Sequence, residues 1–169
     1  MLIYSNATTS RDETGFLLDV DVKLVCNFRH VSRLTARKRE GVIDAIEYYV
    51  EDERRERRTW GPFCFIEQTQ EAEILDGPGV YFFLVNAKIA YFGRCEDFAQ
   101  RLQHYCEIPK TLCNAPQHQA ICRMNTMLYR AFQRRDMVHC FFYPCPTTEN
   151  PLVHAMLVDI VKPSWNLLQ

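Results

Sequence analysis

Residues 79–105 read GVYFFLVNAKIAYFGRCEDFAQRLQHY. Two apolar runs, VYFFLV (80–85) and IAYFG (89–93), flank the polar tripeptide Asn86-Ala87-Lys88. Apolar segments of strand length around a short polar turn predict a β-hairpin. Asp97 then caps a helix on which Phe98, Leu102 and Tyr105 fall on one face. Arg101 and Tyr105 stand four residues apart on that helix and share a side of it. Tyr81 and Tyr91 lie in the two hairpin strands, where their phenols can meet.

Upstream, Asp76-Gly77-Pro78-Gly79 is a turn cluster. Trp60-Gly61-Pro62 breaks the chain before a short strand, FCFI (63–66). Residues 16–26, FLLDVDVKLVC, alternate, and one strand is expected with Leu18, Val20, Val22, Leu24 and Cys26 on its buried side. Residues 27–39 carry six basic groups counting His30. Thr35 is expected to cap a helix whose stripe is Val42, Ile43, Ile46, Tyr49 and Val50. That helix runs into EDERRERR, with Glu51–Arg55 and Glu53–Arg57 at ion-pair spacing.

Downstream, residues 106–122 read as loop with some helix. A helix follows on Met124, Met127, Leu128, Ala131 and Phe132 and ends near Asp136. VHCFFY (138–143) is a strand. Asn150 is expected to cap a last helix, 151–161, with Pro151 in its first turn and Leu152, Met156 and Ile160 facing inward.

The chain has 169 residues, 47% hydrophobic and 24% charged, which suits one α/β domain with a real core. No apolar run approaches the length of a membrane span, and the N-terminus has neither the basic start nor the apolar stretch of a signal peptide. An intracellular protein with no membrane partner is expected. A net charge of −1, from 20 basic and 21 acidic residues, neither announces nor excludes nucleic acid. Eight cysteines, at 26, 64, 95, 106, 113, 122, 140 and 145, contain no CxxC pair. Cys140, Cys145 and His139 are spaced poorly for a metal, so buried free thiols are the expectation and a redox or metal protein the rival.

In this setting the stretch 79–105 resembles the GIY-YIG nuclease domain. Gly79-Val80-Tyr81 stands for the first signature and Tyr91-Phe92-Gly93 for the second. Arg101 falls eight residues after Gly93, where the family's helix arginine sits, and Tyr105 fills a position where members carry histidine or tyrosine. Pro163-Ser164-Trp165-Asn166 matches the P-x-W-N ending near the family's terminal asparagine. The resemblance covers about 79–166. It implies a small, mainly antiparallel sheet flanked by helices, here with an N-terminal strand-helix extension. It divides the chain into an extension, 1–75, and a nuclease-like domain, 76–169.

The implied activity is metal-dependent hydrolysis of phosphodiester bonds in DNA, duplex DNA in the first place, with Mg²⁺ or Mn²⁺. The tyrosines would order or deprotonate the attacking water, and the Arg101 fork would bind the scissile phosphate. A phenol titrates near ~10, so a tyrosine base needs a cation beside it, and Arg101 is a plausible source. Gly79 and Gly93 serve the backbone, and Asn166 braces the site. Arg94 is placed for a phosphate contact, and Arg33, Arg37 and Lys38 of the basic segment for positioning DNA. The metal ligand has two frames. Counting twelve residues back from Asn166 gives His154, whereas the Glu149-Asn150-Pro151-Leu152 string matches a phage member of the family. Glu149 is preferred because a hard ion favours carboxylate oxygen, and Asp159 is a backup. A chain that ends three residues after Asn166 is expected to find specificity in 1–75, in 106–126 or in a homo-oligomer, which points to a restriction-type or phage-type enzyme. The alternative is a catalytically impaired GIY-YIG module that binds nucleic acid or a protein.

Overall fold

Strand Gly79–Val85 lies at the heart of the sheet because its side chains are apolar on both faces and both faces are covered. The computed structural model describes residues 7–11, 15–20, 24–48, 61–68, 76–111 and 118–167. In chain order the strands are β1 (Ala7–Arg11), β2 (Gly15–Val20), β3 (Leu24–Ala36), β4 (Lys38–Arg39), β5 (Val42–Ile43), β6 (Ala45–Ile46), β7 (Phe63–Cys64), β8 (Ile66–Gln68), β9 (Gly79–Val85), β10 (Lys88–Cys95) and β11 (Val138–Pro144). Helices α1 (Phe98–Cys106), α2 (Gln119–Gln133) and α3 (Asn150–Val161) accompany them. Seven strands form one sheet in the order β1-β2-β3-β11-β9-β10, with β8 also paired to β3, and every pairing is antiparallel.

Period-two alternation along β9 sorts its residues between two cores. Tyr81 and Phe83 join α1 and α2 on one face, while Val80, Phe82 and Leu84 join Val153 and Leu157 of α3 on the other. Helix α1 is capped by Asp97, which accepts from the Gln100 amide at 2.9 Å, and buries Phe98, Leu102 and Tyr105. Phe98 stacks on Phe142 of β11 at 4.1 Å between ring centres, which docks the helix on the sheet. The Asn125 side chain of α2 is fully buried. It accepts from the Cys64 amide at 2.8 Å and donates to the carbonyls of Cys64 and Tyr105 at 2.9 and 2.8 Å. One amide thus ties β7 to the end of α1.

Three expectations are corrected. The alternating run 16–26 is two strands, β2 and β3, which pair antiparallel with Val20 opposite Leu24. Alternation reads the same before and after a reversal, so it cannot reveal one. The helix expected after Thr35 does not form among the described residues 36–48. Thr35 lies inside β3 opposite Glu67, and Lys38–Ile43 is a tight hairpin. Glu40 and Gly41 take φ of 51° and 83°, the doubly left-handed turn that suits a two-residue hairpin and breaks a helix. Val42, placed on the buried stripe, is 71% exposed. The Glu51–Arg55 and Glu53–Arg57 pairs lie outside the described residues.

The last helix starts one residue earlier than expected. Glu149 holds the cap position without a side-chain cap bond, while Asn150 is buried and donates to the Cys95 carbonyl at 3.1 Å. Its buried face is Asn150, Val153 and Leu157, and Leu152 is 66% exposed. PLVHAMLVDIV is apolar nearly all round, so several stripes fit it and periodicity alone picks none.

Candidate active site

Tyr81 and Tyr91 share a face because of one irregularity in β10. The β9–β10 register pairs Ile89 with Leu84 and then Tyr91 with Phe83, so Ala90 is an extra residue. Strict alternation from Ile89, on the α3 side, would send Tyr91 back to that side. The bulge turns it instead into the α1–α2 core with Tyr81. The two rings lie 6.2 Å apart. Tyr81 stands opposite Gly93, and a Cβ there would collide with its ring and hydroxyl. Gly79 is held by the same need: a Cβ would meet the Tyr143 carbonyl and the Phe142 ring. Both glycines therefore serve close approach.

The C-terminal turn closes the edge of the sheet over the bulge. The Trp165 amide donates to the Ala90 carbonyl at 2.9 Å. Asn166 accepts from the Phe92 amide at 2.8 Å and donates to the Phe92 carbonyl at 2.9 Å, pairing with β10 as a further strand would. His154 reaches the same carbonyl through Nε2 at 3.2 Å, and since a carbonyl only accepts, Nε2 carries the proton. Burial lowers the His154 pKa first and nearby Arg94 adds to it, against the carbonyl bond, so the ring is neutral near pH 7.

The phenols of Tyr81 and Tyr105 are 2.6 Å apart, and each residue is 1% exposed. Burial is the largest influence on both and pushes their pKa values well above 10. Arg101 pulls the other way in both and is outweighed. The expected depression of a phenol by Arg101 is therefore present but loses to desolvation, and both hydroxyls stay protonated at neutral pH. Burial also works against the charge of Arg101. The neighbouring Tyr81, Tyr105, Cys95 and Tyr91 more than offset it, and its pKa stands above the ordinary value.

Arg101 lines a cavity of about 560 Å³ at the junction of β10, α1 and the starts of α2 and α3. Arg94, Cys95, Glu96 and Asp97 form one side, with Gln100, Arg101 and His104 from α1, His118 at the cap of α2 and Ile121 within it, and Thr147 ahead of α3 with Asn150 at its first residue. Tyr81, Tyr91 and Tyr105 pack behind Arg101 and do not line the cavity. Glu149 is exposed and His154 is half-buried, and neither lines it.

No family model and no curated protein matches the chain. Among solved structures it matches a bacteriophage T4 EndoII mutant with alanine in place of a glutamate, at a TM-score of 0.50 and 12% identity, over 82% of this chain and 91% of that one. EndoII is a GIY-YIG endonuclease. The fold is GIY-YIG-like.

On that GIY-YIG-like frame a divalent ion needs a carboxylate at the cavity, because such ions take one or two and keep water elsewhere. The described residues hold no cluster of three His, Cys, Asp or Glu side chains fit for a metal. The α3 residue that faces the cavity is an amide, Asn150, and the cavity's carboxylates are Glu96 and Asp97, the latter engaged as the α1 cap. Glu149 and His154 both lie off the lining of this cavity.

The basic residues are dispersed. Arg94 lines the cavity and is exposed, and Arg33 and Lys38 are exposed on β3 and β4. Arg37 is engaged: its Nε sits 2.8 Å from Asp44, which also holds Arg39 at 2.9 Å, and its guanidinium lies 4.0 Å over the Phe65 ring. Asp159 is exposed on α3. Cys64, Cys95, Cys122, Cys140 and Cys145 are buried and Cys106 half-buried, all as free thiols. No described helix is long and apolar enough to cross a membrane. Sequence reading missed His104, His118, Thr147 and Asn150. The signal for His104 was its position three residues after Arg101, which puts both on neighbouring ridges of α1.

Proposed function

We propose that this chain is an endonuclease that hydrolyses phosphodiester bonds in duplex DNA, of the restriction or phage type, with Mg²⁺ or Mn²⁺ as cofactor. The observation that supports it most is Arg101, at the wall of an open polar cavity beside buried phenols on a GIY-YIG-like fold. Its guanidinium would hold two oxygens of the scissile phosphate through parallel N–H bonds. Tyr81 and Tyr105, bonded to each other at 2.6 Å, lie near it as neutral groups. Arg94 would contact a flanking phosphate, with Arg33 and Lys38 touching DNA further away. A bound divalent ion would add charge stabilisation at phosphorus. A homo-oligomer, each copy cutting one strand, suits this reading.

Incubation with plasmid and genomic DNA, with Mg²⁺, Mn²⁺ or chelator, tests it on a gel. Cleavage that chelator stops and Arg101→Ala abolishes, with an unchanged thermal melt, is the expected result. An Arg101→Ala variant that cuts at the parental rate refutes the assignment. One observation favours a second reading, an impaired module that binds nucleic acid without cutting: Asn150, rather than a carboxylate, is what α3 offers the cavity. Retained DNA binding with no cleavage under any metal would select it.

A further inference from the structure

The water-activating group implied by the resemblance is a tyrosine, but Tyr81, Tyr91 and Tyr105 are buried, at 1%, 9% and 1% exposure, and none lines the cavity. A base must touch the water it deprotonates. The candidate bases are the groups that line the cavity. Asp97 is occupied by the Gln100 amide, Arg94 and Arg101 are cations, and Gln100, Thr147 and Asn150 do not accept a proton near neutral pH. Glu96 is exposed at the rim. Cys95 is a buried thiol pushed up to about 12. Two histidines remain: His118 stands just before α2, whereas His104 is half-buried on α1, three residues beyond Arg101, and its spacing selects it. Residues so spaced have Cβ atoms about 5–6 Å apart, so one water can touch the ring and a phosphate gripped by Arg101.

We infer that His104 is the proton acceptor that activates water against the phosphodiester held by Arg101. This rests on the hydrolase reading above. The water gives one proton to the free ring nitrogen of His104 as its oxygen lone pair forms the new bond to phosphorus. The bond from phosphorus to the departing ester oxygen breaks, and its electron pair goes to that oxygen, which takes a proton from solvent water. The hydroxide so formed recovers the proton from His104, and one water has been added across the ester. The surroundings keep the ring ready for this work: burial first, then Arg101 and His118, lower its pKa. Arg94, Glu96 and Asp97 face the cavity from the β10–α1 corner.

The test compares the parent with His104→Gln, which keeps size and hydrogen bonding but does not titrate in this range. On plasmid DNA the variant should lose about 10²–10⁴-fold in rate. It should keep the parent's DNA affinity and melt, and lose the low-pH limb of the parental rate profile. Added imidazole should restore part of the rate. A parent that cuts while His104→Gln cuts equally, with the same limb, overturns the histidine and leaves the nuclease reading standing. A parent that cuts no nucleic acid overturns both. NMR titration of the ring with inorganic phosphate gives a readout apart from turnover: His104 resonances should shift, and a ring blind to phosphate that also leaves Arg101 unmoved refutes the shared cavity.

Discussion

Asn166→Ala is expected to destabilise the fold by about 2–3 kcal/mol, and most of that cost falls on a single amide. Phe92 sits on the edge strand β10, and its N–H meets the Asn166 Oδ1 at 2.8 Å in a buried position. Its carbonyl has two partners, Asn166 at 2.9 Å and His154 at 3.2 Å. Alanine removes two hydrogen bonds but orphans one group, because His154 still serves the carbonyl. The stranded N–H costs about 1–3 kcal/mol, and the net loss of a satisfied bond about 0.5–1.5 kcal/mol. His154→Ala alone should cost far less, since Asn166 continues to donate to the carbonyl. The double variant orphans both groups of Phe92, so the cycle should be non-additive by about 0.5–3 kcal/mol. Urea denaturation of the four proteins, with the slope checked for constancy, measures all of this. A loss below about 0.5 kcal/mol for Asn166→Ala, or an additive cycle, would refute the claim that these side chains share one backbone unit.

Three further outcomes follow from the same geometry. Gly93→Ala should cost about 1–3 kcal/mol or more through overpacking against the buried Tyr81 ring, and should abolish any cleavage by displacing that ring near Arg101; a variant with parental melt and activity would contradict the close approach. Stability should hold between about pH 7 and about pH 8 and fall above that. Burial pushes the Cys64 and Cys95 thiols up to about 12 and Cys106 to about 11, and holds Tyr81 and Tyr105 well above 10. The unfolded chain thus loses these protons first, and folding weakens as pH rises past the unfolded values. Denaturant midpoints that hold constant from pH 8 to 11 would exclude this. Glu149→Gln and His154→Ala bear on the metal frames: if Glu149 carries the ion, only the first abolishes cleavage, and if the exposed placement of Glu149 holds during turnover, the first leaves cleavage intact.

The parts of this fold that the sequence discloses are those set by local chemistry. The hairpin, the Asp97 cap and the Phe98, Leu102 and Tyr105 face each depend on neighbours a few residues away, and each stands as read. What escaped depends on reversals or on rotation about an axis. The turn at Glu40-Gly41 hid inside a run whose apolar spacing imitates a helix, although Gly41 in its middle was a visible objection. The Ala90 bulge has no local signature in IAYFG, yet without it Tyr91 would face α3. The rotation of α3 matters most for function. An inward stripe of Leu152, Met156 and Ile160 and the observed one of Val153 and Leu157 differ by about one residue, close to 100° around the axis. In an apolar helix neither choice violates patterning. The neighbours decide: Asn150 bonds to the Cys95 carbonyl, His154 to the Phe92 carbonyl, and Asn166 shares that second anchor. Those polar contacts with β10 fix the helix angle, and the same angle that buries Val153 turns Asn150 into the cavity and leaves Glu149 exposed. The identity of the group that α3 offers to the cavity is therefore set by hydrogen bonds to a strand some sixty residues earlier, which is why counting back from Asn166 or matching a four-residue string could not settle it.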